Sequence, residues 1–387
     1  MSQSIVESVQ TRYAEGAKQQ EAALCCPVDY DPKYLKAIPA EVIDRDYGCG
    51  DPSKYVREGE TVLDLGSGGG KICFIASQVV GEKGRVIGVD MTDDMLDLAH
   101  SAAPKVADQI GFNNVEFRKG KIQDLKLDRM TLETYLNENP VQNEADLHVM
   151  EEWIEKEKSS NPMIADSSID VVVSNCVLNL VATEEKNQMF EEIFRVLKKG
   201  GRAVISDIVS DEFVPLEMQK DDFLWSGCIS GAYEERDFLK AFEDAGFYGV
   251  TILKRDEKPW HVVNGIEFRS VTIEAYKGKE GACWDYKDAV VYKGPFSSVS
   301  DDDGHFYPRG ERVAVCRKTF DILMNGPYQE MFEPIESYVQ VTEETKKAFP
   351  CVEKVLLRNP KESKGDDYSL TTYEEQGVCE PYAGSCC

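Results

Sequence analysis

Histidine is scarce in this chain, with four in 387 residues, and none of its twelve cysteines stands in a Cys-x-x-Cys pair. A structural zinc module needs that spacing or nearby histidines, so a zinc-finger reading fails. Long apolar runs are missing too: no stretch approaches the ~20 residues of a membrane-crossing helix. The amino end, Met1-Ser-Gln-Ser-Ile-Val-Glu7, has neither the basic start nor the apolar core of a secretory leader. Basic residues are outnumbered, 44 against 70 acidic ones, for a formal charge of −26. Such a surface repels phosphate backbones and anionic bilayers, so neither nucleic acid nor a membrane is expected as partner. Cysteines without a leader are expected to stay reduced. The chain is therefore expected in the cytoplasm, as a monomer with a small-molecule substrate.

What is present describes a folded protein. Hydrophobic residues make up 42% and charged residues 29%, and the length predicts two or three domains. Residues 1–50 read as an N-terminal arm or lid, helical at first through Ile5, Val6, Val9 and Tyr13. The arm ends in the turn-forming Tyr47-Gly48-Cys49-Gly50-Asp51-Pro52. From Thr61 strands alternate with helices: strands at 61–65, 85–89, 115–118, 169–173 and 202–206, with helices at 72–80, 93–106, 184–198 and 234–245. Two further strands are expected near 250–254 and 268–276. This alternation predicts an α/β fold, a doubly wound Rossmann-like sheet over 51–277. Residues 125–166 interrupt it as an inserted helical excursion. A smaller C-terminal domain is expected over 278–387, where His305 beside Asp301–Asp303 reads as a solvated turn.

The most informative run is Leu63-Asp64-Leu65-Gly66-Ser67-Gly68-Gly69-Gly70. Glycines after a strand form a loop that any nucleotide-like ligand can approach, so alone they say little. Asp64 says more, because an acid two residues before the first glycine is ill-placed for a dinucleotide pyrophosphate. It suits a ligand with a positive centre and an ammonium group, as in S-adenosylmethionine. Asp90, ending the second strand, can accept both ribose hydroxyls. The run resembles motif I of class I S-adenosylmethionine-dependent methyltransferases, and Lys198-Lys199-Gly200-Gly201 resembles that family's turn before its fifth strand. The resemblance implies cofactor contacts from Tyr47, Gly48, Asp64, Gly66, Ser67, Gly68, Asp90 and Met91. It also implies that Gly120, Lys121 and Ile122 flank the adenine, and that Asn175, Cys176 and Val177 lie beneath the methyl group.

With the strands placed, four cysteines approach one cleft. Cys73 falls in the first turn of the helix after the glycine loop, where the helix terminus is expected to acidify a thiol. Cys176 follows the fourth strand, Cys228 lies in a small-residue turn, and Cys49 sits on the arm. Without histidine nearby, such thiols favour a soft ion. These residues leave open methylation of a soft element (selenium, tellurium and antimony among them) or of a small organic molecule, or binding of such an ion without turnover.

Tyr47-Gly48-Cys49-Gly50, Gly66-Ser-Gly-Gly-Gly-Lys-Ile-Cys73, Ser174-Asn-Cys176-Val-Leu-Asn-Leu180 and Gly227-Cys228-Ile-Ser-Gly-Ala232 resemble the four cysteine motifs of arsenite methyltransferases. Val313-Ala-Val-Cys-Arg317 is similar to the C-terminal region of algal members. The resemblance implies that Cys176 and Cys228 bind trivalent arsenic, with Cys49 or Cys73 as a third thiol, on a loop spanning about 207–233. It implies that Cys49 and Cys73 form a thiol pair needed for turnover, reopened by external thioredoxin or glutathione. The chain departs from the family at Lys71-Ile72, where Arg-Asp is usual.

Overall fold

The computed structural model describes residues 2–21, 28–351 and 355–369. Cys25, Cys26, Cys379, Cys386 and Cys387 lie outside the described residues. The chain divides into two units, Met1–Lys279 and Glu280–Cys387. No described helix is long and apolar enough to cross a membrane.

In the first unit the arm carries α1 (Ser2–Lys18) and two short helices, α2 (Pro32–Leu35) and α3 (Ala40–Asp44). The alternating elements follow: β1 (Thr61–Leu65), α4 (Lys71–Val80), β2 (Arg85–Asp90), α5 (Asp93–Ile110) and β3 (Val115–Lys119). The excursion contains α6 (Arg129–Glu138) and α7 (Glu144–Ser160), capped by Asp128 and Asn143. Stacking of Tyr135 on Trp153, 4.2 Å between ring centres, joins the two. The chain continues through β4 (Ile169–Asn175), α8 (Lys186–Val196), β5 (Leu197–Ser210), α9 (Asp222–Ser226), β6 (Tyr233–Glu234) and α10 (Glu235–Asp244). Three strands close the unit: β7 (Tyr248–Arg255), β8 (His261–Val263) and β9 (Ile266–Tyr276).

The sheet runs β3-β2-β1-β4-β5-β9-β7, with β6 added to β5 and β8 to β9. The first five strands are parallel, whereas β9 is antiparallel to both neighbours. β1 shows why its sequence is apolar almost throughout. Leu63 and Leu65 pack into the core on one face and Val62 into the core on the other, because side chains alternate along a strand buried on both sides. The strand order reverses at β1 and β4, and this opens a crevice at their carboxyl ends. β5 is longer than its sequence suggests, since Asp207–Ser210 pair with β9 rather than entering a loop.

The second unit is antiparallel and small. Its strands are β10 (Trp284–Asp285), β11 (Ala289–Tyr292), β12 (Ser298–Ser300), β13 (Phe306–Pro308) and β14 (Arg312–Ala314). Next come α11 (Arg317–Leu323), β15 (Phe332–Ile335), β16 (Lys347–Ala348) and α12 (Pro360–Lys364). The strands form a β14-β11-β15 sheet and two two-stranded pairs, β10-β16 and β12-β13. The His305 turn is solvated at Asp302, Asp303 and Gly304, but its ends, Asp301 and His305, are half-buried. Asp301 Oδ2 lies 2.8 Å from His305 Nδ1 and accepts the Tyr307 hydroxyl at 2.8 Å, because the Tyr307 ring is part of the core.

One core of the first unit contains a cluster of packed aromatic rings. Phe242 of α10 lies 4.9 Å from Phe190, 5.5 Å from Phe238 and 5.6 Å from Phe247, all fully buried. Phe242→Ala leaves a cavity among three rings that backbone-fixed neighbours cannot refill, so about 3–5 kcal/mol of stability is lost. Urea unfolding monitored on the first unit measures this; a loss below 1 kcal/mol contradicts such packing.

Candidate functional site

A cleft of about 970 Å³ opens at the carboxyl ends of β1, β2 and β4. Its floor is the glycine loop. Gly66, at φ +71°, would drive a Cβ into Val177, so only glycine fits there. The Gly68 amide donates to Asp90 Oδ2 at 2.9 Å and the Thr92 amide to Oδ1 at 2.8 Å, which fixes the Asp90 carboxylate at the cleft wall. Burial still pushes its pKa up, against those hydrogen bonds. Asp64 is more strongly affected: burial raises it to about 7, partly offset by the thiol of Cys73, which donates at 3.2 Å.

Tyr47, Asp64, Gly66, Ser67, Gly68, Asp90, Met91, Gly120, Ile122, Asn175, Cys176 and Val177 all line this cleft. Five expected residues do not: Cys49 and Cys228 lie behind Cys176 in a buried cluster, and Gly48, Lys121 and Cys73 are engaged elsewhere. Gly48 is turned toward the Asn175 amide, where a Cβ would collide. Lys121 is engaged in a bridge to Asp124. Cys73 is fully buried with Phe74, Ile75 and Val62, in a different core from the other thiols. The expected acidity of Cys73 is also overturned, since burial and the neighbouring Asp64 carboxylate push its thiol well above the ordinary value. The field of a helix end cannot offset a carboxylate in direct contact.

Cys49, Cys176 and Cys228 are brought together in one buried cluster. The Cys176 thiol shares hydrogen bonds with Cys228 and Cys49, and these with burial raise it well above the ordinary value. Burial likewise raises Cys49. Cys228 Sγ also lies 3.2 Å from the Cys176 carbonyl oxygen. Cys176 and Cys228 both have positive φ, +65° and +61°, a conformation that costs a non-glycine residue of order 1–3 kcal/mol. Each turn is held by a buried charge. Asp207 of β5 accepts from the Leu178 and Ile208 amides at 2.9 and 2.8 Å. Lys186 donates to the Gly231 carbonyl at 2.5 Å and lies 4.3 Å from the centre of the Tyr233 ring. Burial raises Asp207 to about 6 and lowers Lys186 to about 8, each partly offset by the other's charge.

Asn175 places the third thiol. Its Oδ1 accepts from the Cys49 and Gly50 amides at 2.9 and 3.0 Å, and its Nδ2 donates to the Gly50 carbonyl at 2.9 Å and to the Tyr30 hydroxyl at 3.3 Å. Ser270 adds a 2.7 Å hydrogen bond to the Cys49 carbonyl. A second tether joins the arm to α4: Lys71 forms a buried ion pair with Asp46 and lies 4.0 Å from the Tyr30 ring centre. The carboxylate beside Lys71 thus comes from the arm, where the chain lacks the usual Arg-Asp.

Tyr13, Lys186 and Asp207 were not expected at the site. Tyr13 lines the cleft with its hydroxyl 3.9 Å from Cys228 Sγ. A lone Asp inside the apolar run Ala203–Val209 was the one visible signal; Tyr13 read only as part of a helical pattern.

A methyltransferase-domain family matches residues 57–246, and a domain of unknown function matches 279–368. The arsenite methyltransferase of Aquipseudomonas alcaligenes is 31% identical over 353 residues, covering 86% of this chain and 91% of that protein. The chain belongs to the arsenite methyltransferase family. The mouse arsenite methyltransferase is 28% identical, covering 92% of this chain and 87% of its own length. The crystal structure of an arsenic(III) S-adenosylmethionine methyltransferase from Chlamydomonas reinhardtii matches with TM-score 0.54 and 29% identity, over 79% of this chain and 96% of that one. The chain is an S-adenosylmethionine-dependent methyltransferase of this family, with the class I Rossmann-like fold.

The cleft fits that cofactor on its own chemistry. Ser67 Oγ is buried there without a hydrogen-bond partner, and two carboxylates face a space open to a cationic ligand. A carboxyl group of pKa about 7 must ionise to meet an ammonium group. Affinity for S-adenosylmethionine is therefore expected to rise about tenfold between pH 5.5 and 7, and Asp64→Asn to flatten the profile. Calorimetry across this range measures it; a flat wild-type profile contradicts a role for Asp64.

Proposed function

We propose that this protein methylates trivalent arsenic held by Cys176, Cys228 and Cys49. The observation that supports this is a cluster of three buried thiols that meets the cofactor cleft at Cys176, in a chain of the arsenite methyltransferase family. Asp64, Ser67 and Asp90 hold the cofactor, with Gly66 and Gly68 allowing close approach. S-adenosylmethionine, when bound, supplies an electrophilic methyl group to the arsenic lone pair.

The chain's part is to bind, orient and exclude water. Arsenite enters as As(OH)₃, and each thiol gives its proton to a hydroxyl that leaves as water. The raised pKa values of Cys49 and Cys176 suit this exchange, because a neutral thiol carries the needed proton and no bare thiolate has to be buried. The product, a neutral arsenic tris-thiolate, needs no counter-ion. Asp207 and Lys186 hold the two strained turns so that the sulfurs converge before arsenic arrives. Tyr13, from α1, covers Cys228.

Methylation leaves arsenic pentavalent, and two electrons from a pair of thiols closing to a disulfide return it to the trivalent state. Cys49 and Cys73 serve as that pair, with thioredoxin or glutathione reopening it. In this role the arm must carry Cys49 away from Asn175, toward Cys73 on α4. In this reading the protein works in a reducing compartment such as the cytoplasm, where its cysteines stay reduced.

Transfer of labelled methyl groups to arsenite, with glutathione present, tests the reading. Cys176→Ser and Cys228→Ser are each expected to lower the rate at least 100-fold while cofactor affinity stays within twofold. A hydroxyl is too hard and too weakly acidic to replace a thiol toward arsenic. Undiminished methylation in both variants contradicts the proposal.

A further inference from the structure

A second thiol cluster lies wholly inside the second unit. Cys283 precedes β10, Cys316 caps α11, and Cys351 follows β16, yet their three sulfurs all lie within 4.8 Å of one another. The backbone enforces this meeting. β10 pairs with β16 through Trp284 and Ala348, and the Phe349 amide donates to the Cys283 carbonyl at 2.8 Å. Cys316 is held in turn by its own cap: its sulfur accepts from the Thr319 amide at 3.4 Å.

The cluster grades from core to surface, with Cys316 buried, Cys283 half-buried and Cys351 exposed. A cleft of about 420 Å³ reaches it, walled by Cys316, Cys351, His305 and Phe349. Burial opposes ionisation of Cys283. Hydrogen bonds from Cys351 and Cys316 and the charge of Lys318 outweigh it, and hold this thiol below the ordinary value. Cys351 is pushed the other way, to about 12, by burial and by its hydrogen bond to Cys283.

The donor set selects the ligand. Three sulfurs converge, and among the described residues no histidine nitrogen or carboxylate joins them within the same span. Zinc takes four ligands in a tetrahedron, whereas a trivalent soft ion with a lone pair is satisfied by three thiolates. A disulfide would use two of the sulfurs and strand the third. We propose that Cys283, Cys316 and Cys351 form a second binding site for trivalent arsenic, separate from the methyl-transfer cleft. Binding is an exchange without redox change: As(OH)₃ and three thiols give one arsenic tris-thiolate and three waters. The site uses none of the residues assigned to methyl transfer, so either assignment can fail without the other.

The test uses the full chain with Cys25, Cys26, Cys49, Cys176, Cys228, Cys379, Cys386 and Cys387 replaced by serine. Equilibrium dialysis against arsenite, with arsenic counted by mass spectrometry, is expected to give one arsenic per chain. Adding Cys316→Ser or Cys351→Ser should weaken binding at least tenfold. Cys351 is exposed, so its variant keeps the fold, which the unchanged thermal transition without arsenite checks. Absence of bound arsenic in the starting chain overturns the proposal, as does undiminished affinity in Cys351→Ser. Zinc that arsenite cannot displace overturns it as well.

Discussion

The side-chain amide of Asn175 is the junction on which the site depends. It stands at the last position of β4, where the sheet delivers it to the switch point, and all its hydrogen bonds are spent on the arm and Tyr30. Gly48 and Gly50 are needed on the other side, because a Cβ at either would collide with Asn175 or Ser206. One buried amide thereby converts a loop 125 residues away in sequence into a wall of the cleft. Its neighbour Cys176 meets Cys49 as a result. A buried amide with every donor and acceptor satisfied specifies one arrangement, since any slippage leaves polar groups unpaired.

Around this junction the protein keeps formal charge low until a ligand arrives. The Cys49 and Cys176 thiols are held above their ordinary value, Asp64 titrates near neutrality, and Asp207 and Lys186 offset one another in the core. A cationic cofactor and an arsenic tris-thiolate both suit such a place: the first supplies the charge that Asp64 and Asp90 lack, and the second brings none. The strain at Cys176 and Cys228 belongs to the same design. Backbone held in the left-handed region by Asp207 and Lys186 presents sulfurs already converged, so little ordering is left to the binding step.

Much of the sheet was legible in the sequence because buried parallel strands are apolar nearly throughout, and acids at their ends, Asp64 and Asp90, stand out against that background. Side-chain direction on helices was not. Every residue of α4 from Lys71 to Ser77 is buried, so no polar face reveals that Cys73 reaches Asp64 and packs in a different core from Cys49. The length of β5 was hidden for another reason: Asp207–Ser210 are strand only because β9 lies beside them. Tyr13 and Lys186 gain their roles from partners far off in sequence. The second thiol cluster was equally invisible, since its three cysteines meet through the pairing of two-residue strands.

Arsenic K-edge absorption tests the central claim, that Asn175 brings Cys49 into a three-thiol site. The measurement needs the chain with its cysteines outside the first-unit cluster replaced by serine, loaded with one arsenite, and compared with the same chain carrying Asn175→Ala. The account predicts three sulfur neighbours in the first and two sulfurs with one oxygen in the second. Three sulfurs in both, or two in both, would contradict it.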